Sequence, residues 1–209
     1  MMTVLTDPDI PNELKDCVRF HGHLCPGLVY GYRVAIEALK HLGISRAPDE
    51  EIIAISENDS CAVDGIQKIL GTTSGKGNLI IRNYGKNVYT VQSRNTQKAV
   101  RFSRILGYCY EGDHPEEFEI LEKKVATKSA TKSEMKRQKL LKAMDLALKN
   151  FDRIFTRTDV DYEEIDYAPL APSVACATCG ELTMKTRMIE GKDKTLRCIP
   201  CDRKVSMIP

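Results

Sequence analysis

Residues 20–27, Phe-His-Gly-His-Leu-Cys-Pro-Gly, place two imidazoles and a thiol within five positions, at His21, His23 and Cys25. Imidazole and thiolate together suit zinc or iron rather than magnesium. Side chains alternate in an extended segment, so positions 21, 23 and 25 are expected on one side. Pro26 belongs in the first turn of a helix, which puts Cys25 at its N-cap, where the helix dipole favours a thiolate. A second stretch, Asn58-Asp59-Ser60-Cys61-Ala62-Val63-Asp64, sets another cysteine at a helix start. If the two turns meet, His21, His23, Cys25, Cys61 and Asp64 enclose one ion, zinc or iron. The plainer alternative is that His23 and Cys25 only pack and cap.

A separate set lies near the C-terminus. Cys176-x2-Cys179, with Gly180 next, is separated by 18 residues from Cys198-x2-Cys201. Each pair can offer two thiolates to one tetrahedral ion, and Gly180 permits the tight turn around it. A structural zinc is expected on Cys176, Cys179, Cys198 and Cys201, and a module this small needs the metal to fold. A redox dithiol or a rubredoxin-type iron centre would use the same residues.

The elements that must position these groups follow from periodicity and punctuation. Residues 9–20 are predicted as a helix leading into the His/Cys loop, and 28–42 as a largely buried helix ended by Gly43. Residues 51–57 form a strand, and 61–70 a helix closed by Gly71. Residues 78–83, 88–94 and 99–106 are predicted as antiparallel strands separated by glycine-containing turns. A helical section opens at His114-Pro115 and runs to about residue 155, its Lys-rich patch a solvated face. The fold class is thus α+β, an antiparallel-rich sheet packed with helices, plus a small C-terminal zinc-finger domain. The expected domains are 1–155, a linker or arm over 156–173, and the module 174–209. Gly71-Thr72-Thr73-Ser74-Gly75-Lys76-Gly77 looks like a phosphate loop but has the wrong glycine spacing and the wrong element order. Lys76 stays a minor candidate for touching an anion.

Composition narrows the classes further. The 209 residues are 42% hydrophobic and carry a net charge of +2, too little to demand nucleic acid or an anionic membrane as partner. No apolar run approaches a membrane span, and the first nine residues lack the pattern of a signal peptide, so a cytoplasmic location is expected. Of the eight cysteines, all but Cys17 and Cys109 cluster as metal ligands or reactive thiols rather than as a disulfide framework. Cys17 and Cys109 stand apart and are expected to be small buried hydrophobes.

Three motifs in order, FHGHLCPGLVYGYR (20–33), ENDSCAVDGIQ (57–67) and GTTSGKGNLIIRNYGK (71–86), resemble the FmdE family of formylmethanofuran dehydrogenase subunits. The resemblance runs from about residue 13 to 110 and extends to the C-terminal Cys-x-x-Cys pairs. It implies an α+β core with a His/Cys metal site and an appended zinc-ribbon or treble-clef-like module. The matching positions are His21, His23, Cys25 and Cys61, with Asp64 and Lys76 around them. It also implies association with the molybdenum or tungsten enzyme that reduces carbon dioxide to a formyl group on methanofuran, whose pterin metal other subunits hold.

Three functions are therefore weighed. The first is a metal-binding accessory or regulatory protein, a homodimer in contact with molybdenum or tungsten enzyme subunits. The second is an autonomous metalloenzyme with Cys61, Asp64 and Lys76 as catalytic candidates. The third is a zinc-ribbon regulator of nucleic acid or protein, for which the C-terminal unit lacks an aromatic residue to stack bases. The homodimer is expected because the first two helices look too apolar for one small sheet to cover.

Overall fold

The computed structural model describes residue 8 and residues 10–206, so the reading of residues 1–7 and 9 lies outside the described residues. The chain forms two compact units, divided between Ile165 and Asp166. In the first unit the elements run α1 (Asn12–His21), α2 (Pro26–Leu42), β1 (Ile52–Ser56), α3 (Ala62–Leu70), β2 (Leu79–Ile81), β3 (Val88–Ser93), β4 (Lys98–Arg104), α4 (Pro115–Ala126), α5 (Lys132–Leu148) and β5 (Phe155–Val160). The five strands form one sheet in the order β2-β1-β3-β4-β5. The fold is α+β with an antiparallel-rich sheet.

One strand departs from expectation. β2 pairs parallel to β1, with Ala54 opposite Leu79, whereas the other three pairings are antiparallel. The reason is the connection: α3 crosses between β1 and β2, as a parallel neighbour requires. β1 is buried along its whole length, which explains its unbroken Ile-Ile-Ala-Ile run. Phe155–Val160, placed in the linker region by composition from residue 156 onward, is instead strand β5, pairing Phe102 with Arg157. Residues 161–165 then lie against the sheet as an arm. The Gln92 side chain brackets Glu163, donating to its carbonyl (2.7 Å) and accepting from its N–H (3.2 Å).

α2 and α3 pack against the sheet, α1 packs on α2 and α3, and α5 lies against α2. Arg33 of α2 donates to the carbonyls of Leu146 (2.8 Å) and Ala147 (2.9 Å), closing the C-terminal end of α5. Phe102, Phe151 and Phe155 interlock beneath, with ring centroids 5.6 Å apart in each successive pair. The first two helices do not depend on a second copy for cover. Within this chain α3 and α5 join the sheet over them, and Leu14, Val18, Leu28 and Val34 are all fully buried.

The helical section after residue 114 is two helices, not one. Thr131 starts α5 with a capping box, accepting from the Glu134 N–H (3.2 Å) while the Glu134 carboxylate accepts from the Thr131 N–H (2.8 Å). Near its end Asp145 and Lys149 are buried together, their side chains 4% and 3% exposed. Asp145 accepts from the Tyr108 hydroxyl (2.5 Å) and the Glu111 N–H (3.0 Å). Lys149 donates to the Cys109 carbonyl (2.8 Å) and pairs with Glu111 (3.0 Å). This clamp fixes the loop between β4 and α4. Asp145→Asn should cost about 1–3 kcal/mol in a denaturant titration, because it weakens charge-assisted bonds while Glu111 keeps Lys149 paired. An unchanged midpoint would show that the clamp contributes nothing net.

The second unit contains two hairpins, β6 (Ser173–Ala175) with β7 (Leu182–Met184) and β8 (Met188–Glu190) with β9 (Leu196–Cys198), then α6 (Ile199–Ser206). Among the described residues no helix is long and apolar enough to cross a membrane.

Candidate metal centres

The first centre begins at a helix end rather than in an extended segment. His21 is the last residue of α1, and Gly22 closes it with φ 95°, a left-handed conformation that a side chain would strain. That reversal brings the His21 and His23 rings to 4.5 Å, centroid to centroid. Cys25 is the N-cap of α2, as Pro26 predicts, and its sulfur accepts from the Leu28 N–H at 3.4 Å. His21, His23 and Cys25 thus offer ligand atoms that all lie within 4.8 Å of one another.

α3 begins beside this group. The turn before it is held by Asn58, which donates to the Lys86 carbonyl (2.6 Å) and accepts from the Ser60 hydroxyl (2.6 Å). Cys61 then precedes the first turn of α3 beside the start of α2, but it falls outside the convergent His21, His23 and Cys25 group. One turn on, Asp64 Oδ2 sits 2.7 Å from His21 Nδ1. A carboxylate there accepts from Nδ1–H and leaves Nε2 as the free lone pair. That atom faces Cys25 Sγ at 3.8 Å. The carboxylate–imidazole–thiol line is the arrangement that orients a histidine ligand.

Charge and burial act in opposite ways on these groups. Burial pushes the Cys25 thiol up, against the pull of the Leu28 N–H, so the helix terminus alone does not deliver the expected thiolate. A cation would, because a coordinating thiol is deprotonated outright. Partial burial, then the neighbouring His21 and Lys139, holds His23 below the usual histidine range, so it is a neutral donor near pH 7. Lys139 of α5 was not singled out in the sequence. Its lysine-rich surroundings hid it, and only the tertiary fold brings it to His23.

Lys76 does not join the centre. It follows the C-terminal end of α3, whereas Cys61 and Asp64 lie at the other end, a separation of about 12 Å along the helix. Its ammonium donates to the carbonyls of Asp49 (2.9 Å) and Pro48 (3.3 Å), latching a loop instead. Of the two solitary cysteines, Cys17 is fully buried and its thiol is pushed up to about 12 by that burial. Cys109 is exposed, contrary to expectation, because the clamp at Lys149 holds the Cys109 carbonyl and leaves its side chain outward.

The second centre gathers Cys176, Cys179, Cys198 and Cys201, again with all ligand atoms within 4.8 Å. Gly180, at φ 75°, turns the chain so that its N–H donates to the Cys176 carbonyl at 2.8 Å. The Cys176 sulfur accepts from the N–H groups of Cys198 (3.3 Å) and Thr178 (3.4 Å). Donation from backbone N–H groups, that of Cys179 foremost, draws Cys176 down to about 6. The neighbouring sulfurs, Cys198 first, push Cys201 up to about 12. Four thiols collected at one point resist ionising together, and a divalent cation removes that conflict. The donor set fits a metal held by four cysteines.

The model of the FmdE family, described as "Molybdenum formylmethanofuran dehydrogenase operon", matches residues 20–156. A probable S-adenosyl-L-methionine-binding protein of Archaeoglobus fulgidus is 30% identical over 189 residues, covering 86% of this chain and 50% of its own length. The chain therefore spans about half the length of that curated relative. The crystal structure of a tungsten formylmethanofuran dehydrogenase FmdE-like protein from Syntrophus aciditrophicus superposes with a TM-score of 0.57 at 20% identity. That match covers 90% of this chain and 89% of the other, and is a likeness of fold.

Proposed function

We propose, from the premise that the chain belongs to the FmdE family, that it is a metal-binding accessory or regulatory protein of molybdenum- or tungsten-dependent formyl metabolism. In this reading a structural zinc sits on Cys176, Cys179, Cys198 and Cys201. A second ion, zinc or iron, sits on His21, His23 and Cys25, with Cys61 completing the set. The 2.7 Å contact from Asp64 to His21 carries the reading, because it leaves one imidazole nitrogen bare beside a thiol. A reducing, cytoplasmic setting suits eight free cysteines. The named enzyme subunits are the proposed partners, with a second copy of the chain as a further one.

Elemental analysis of the purified protein is expected to give two ions per chain, falling to one in Cys25→Ala. Two ions retained in that variant would end the core-site reading. Asp64→Asn should keep the fold but weaken the second ion by about 10- to 100-fold in a chelator competition, since it loosens the orientation of a ligand.

One observation favours a second reading, an autonomous metalloenzyme. His21, His23 and Cys25 form a three-ligand group with His23 exposed, which would leave a fourth position for water if Cys61 stays outside. In that case Asp64 and His21 are occupied with each other and the ion, so neither is free to serve as general base. A water-bearing ion detected by X-ray absorption would favour this reading over the accessory role.

A further inference from the structure

β5 is an open edge of the five-stranded sheet, and its sequence is Phe-Thr-Arg-Thr-Asp-Val over Phe155–Val160. Edge strands are commonly kept from pairing by proline, lysine, a bulge or a cover. β5 has none of the first three: its register with β4 is unbroken over six residues, and residues 156–159 are exposed. The opposite edge, β2, has only three residues.

The hydrogen-bonding phase of β5 follows from its neighbours. The Arg104 N–H turns to β3 and donates to the Asn87 carbonyl (3.0 Å), and the next N–H, of Ile105, donates to the Ile154 carbonyl (3.0 Å). This is the alternation of an antiparallel strand. Thr156, Thr158 and Val160 therefore turn their backbone groups inward to β4, while Arg157 and Asp159 turn theirs outward. Among the described residues those outward groups bond to nothing. The two side chains lie on the α2 face of the sheet, where Arg157 pairs with Glu37 and Asp159 stands 2.6 Å from His41 Nε2.

A two-fold axis through Thr158 makes this edge complementary to itself. It sets Arg157 opposite the partner's Asp159, and Asp159 opposite the partner's Arg157. Both residues face outward, so each pair can exchange two N–H···O bonds with opposite charges side by side. A slide of two residues is the smallest that keeps the phase. In either direction it sets Arg157 against Arg157 or Asp159 against Asp159, so the charges select one register. Reciprocal contact of this kind is what a two-fold interface requires.

We propose that β5 pairs with β5 of a second copy, antiparallel and centred on Thr158, joining the two five-stranded sheets into one. The proposal rests on the reading of a second copy as partner and gives that reading its surface.

The test is the mass of the zinc-loaded full chain in solution, by light scattering at matched concentrations. The parent is expected to have the mass of two chains. Thr158→Glu sets two carboxylates against each other on the axis, whereas within its own chain the new side chain stands opposite Arg101. It should have the mass of one chain, with unchanged circular dichroism. Arg157→Asp and Asp159→Arg should each weaken pairing by about tenfold or more, since each makes like charges meet twice. Mixed in equal amounts, the two variants should recover the two-chain mass, because every cross-strand pair is then again of opposite sign. A parent with the mass of one chain would remove both this edge and the second-copy reading. A two-chain parent whose Thr158→Glu variant stays two-chain would keep the second copy and overturn the edge. Folded charge variants that stay single when mixed would overturn it as well. Should those variants fail to fold, Thr158→Glu alone decides.

Discussion

Stripping the metal from the four-cysteine cluster should unfold the unit that carries it and leave the larger unit folded. The second unit has almost no other core. Its buried hydrophobic cluster among the described residues is Cys176, Cys198 and Cys201, with Met188 packed against them. Each of its strands is three residues long, and Leu182 and Ile189 are exposed. So little burial cannot offset the entropy of ordering the chain. Structural zinc in modules of this kind binds with about 10–16 kcal/mol, which is then folding free energy. Limited proteolysis should show cuts within 173–206 on chelation and protection on adding zinc back. Cys198→Ser should stay cut at every zinc concentration that protects the parent. Acidification works in the same direction. Only deprotonated thiols hold the ion, so acid releases it by protonating them. Proteolytic protection that survives chelation would mean that the module folds without an ion.

The parts of this molecule that punctuation specifies were legible from the sequence. Pro26 and Cys25 marked the start of α2, Gly43 and Gly71 marked helix ends, and the Cys-x-x-Cys pairs marked the second unit. Asp64 was found because it stands in the turn after Cys61, although as a partner of His21 rather than a base. Of the four residues proposed for the first centre, His21, His23 and Cys25 converge without Cys61, and for a different reason than alternation. A helix end and a left-handed glycine, not a strand, put the groups together.

What escaped reading depended on contacts remote in sequence. Whether β2 runs parallel or antiparallel is decided by the α3 crossover, and three residues of pattern do not encode direction. β5 was hidden because Thr156, Arg157, Thr158 and Asp159 are exposed on an edge strand, where polar residues are expected. Lys76 seemed chemical because glycines flank it, yet its neighbours in space are the carbonyls of a loop. Lys139 and the exposure of Cys109 follow from where α5 docks, which no local spacing states.

Gly31→Ala is expected to dismantle the first centre from a distance. α2 and α3 cross so closely that a Cβ on Gly31 would stand 1.8 Å from the Ala62 carbonyl oxygen and 2.8 Å from its Cα. The facing position is as tight, since a Cβ on Gly65 would lie 2.6 Å from the Tyr32 nitrogen. Those atoms are backbone, so no side chain can rotate away, and the helices must separate. Overpacking usually costs about 1–3 kcal/mol and occasionally more. A backbone clash on both helices within a buried core belongs at the upper end of that range. The gain in helix propensity from Gly to Ala, about 1 kcal/mol, works against the loss without cancelling it. Separation moves Cys61 and Asp64 away from Cys25 and His21, because the two pairs sit on opposite sides of this contact. Denaturant titration should therefore report a lower midpoint, and elemental analysis one ion instead of two, with the four-cysteine unit still loaded. Gly43→Ala, at a glycine with no atom within 4 Å of its added Cβ, is the control. It should lower stability only through its positive φ and keep both ions. A Gly31→Ala protein that matched the parent in midpoint and in metal content would show that the helix crossing does not hold the centre together.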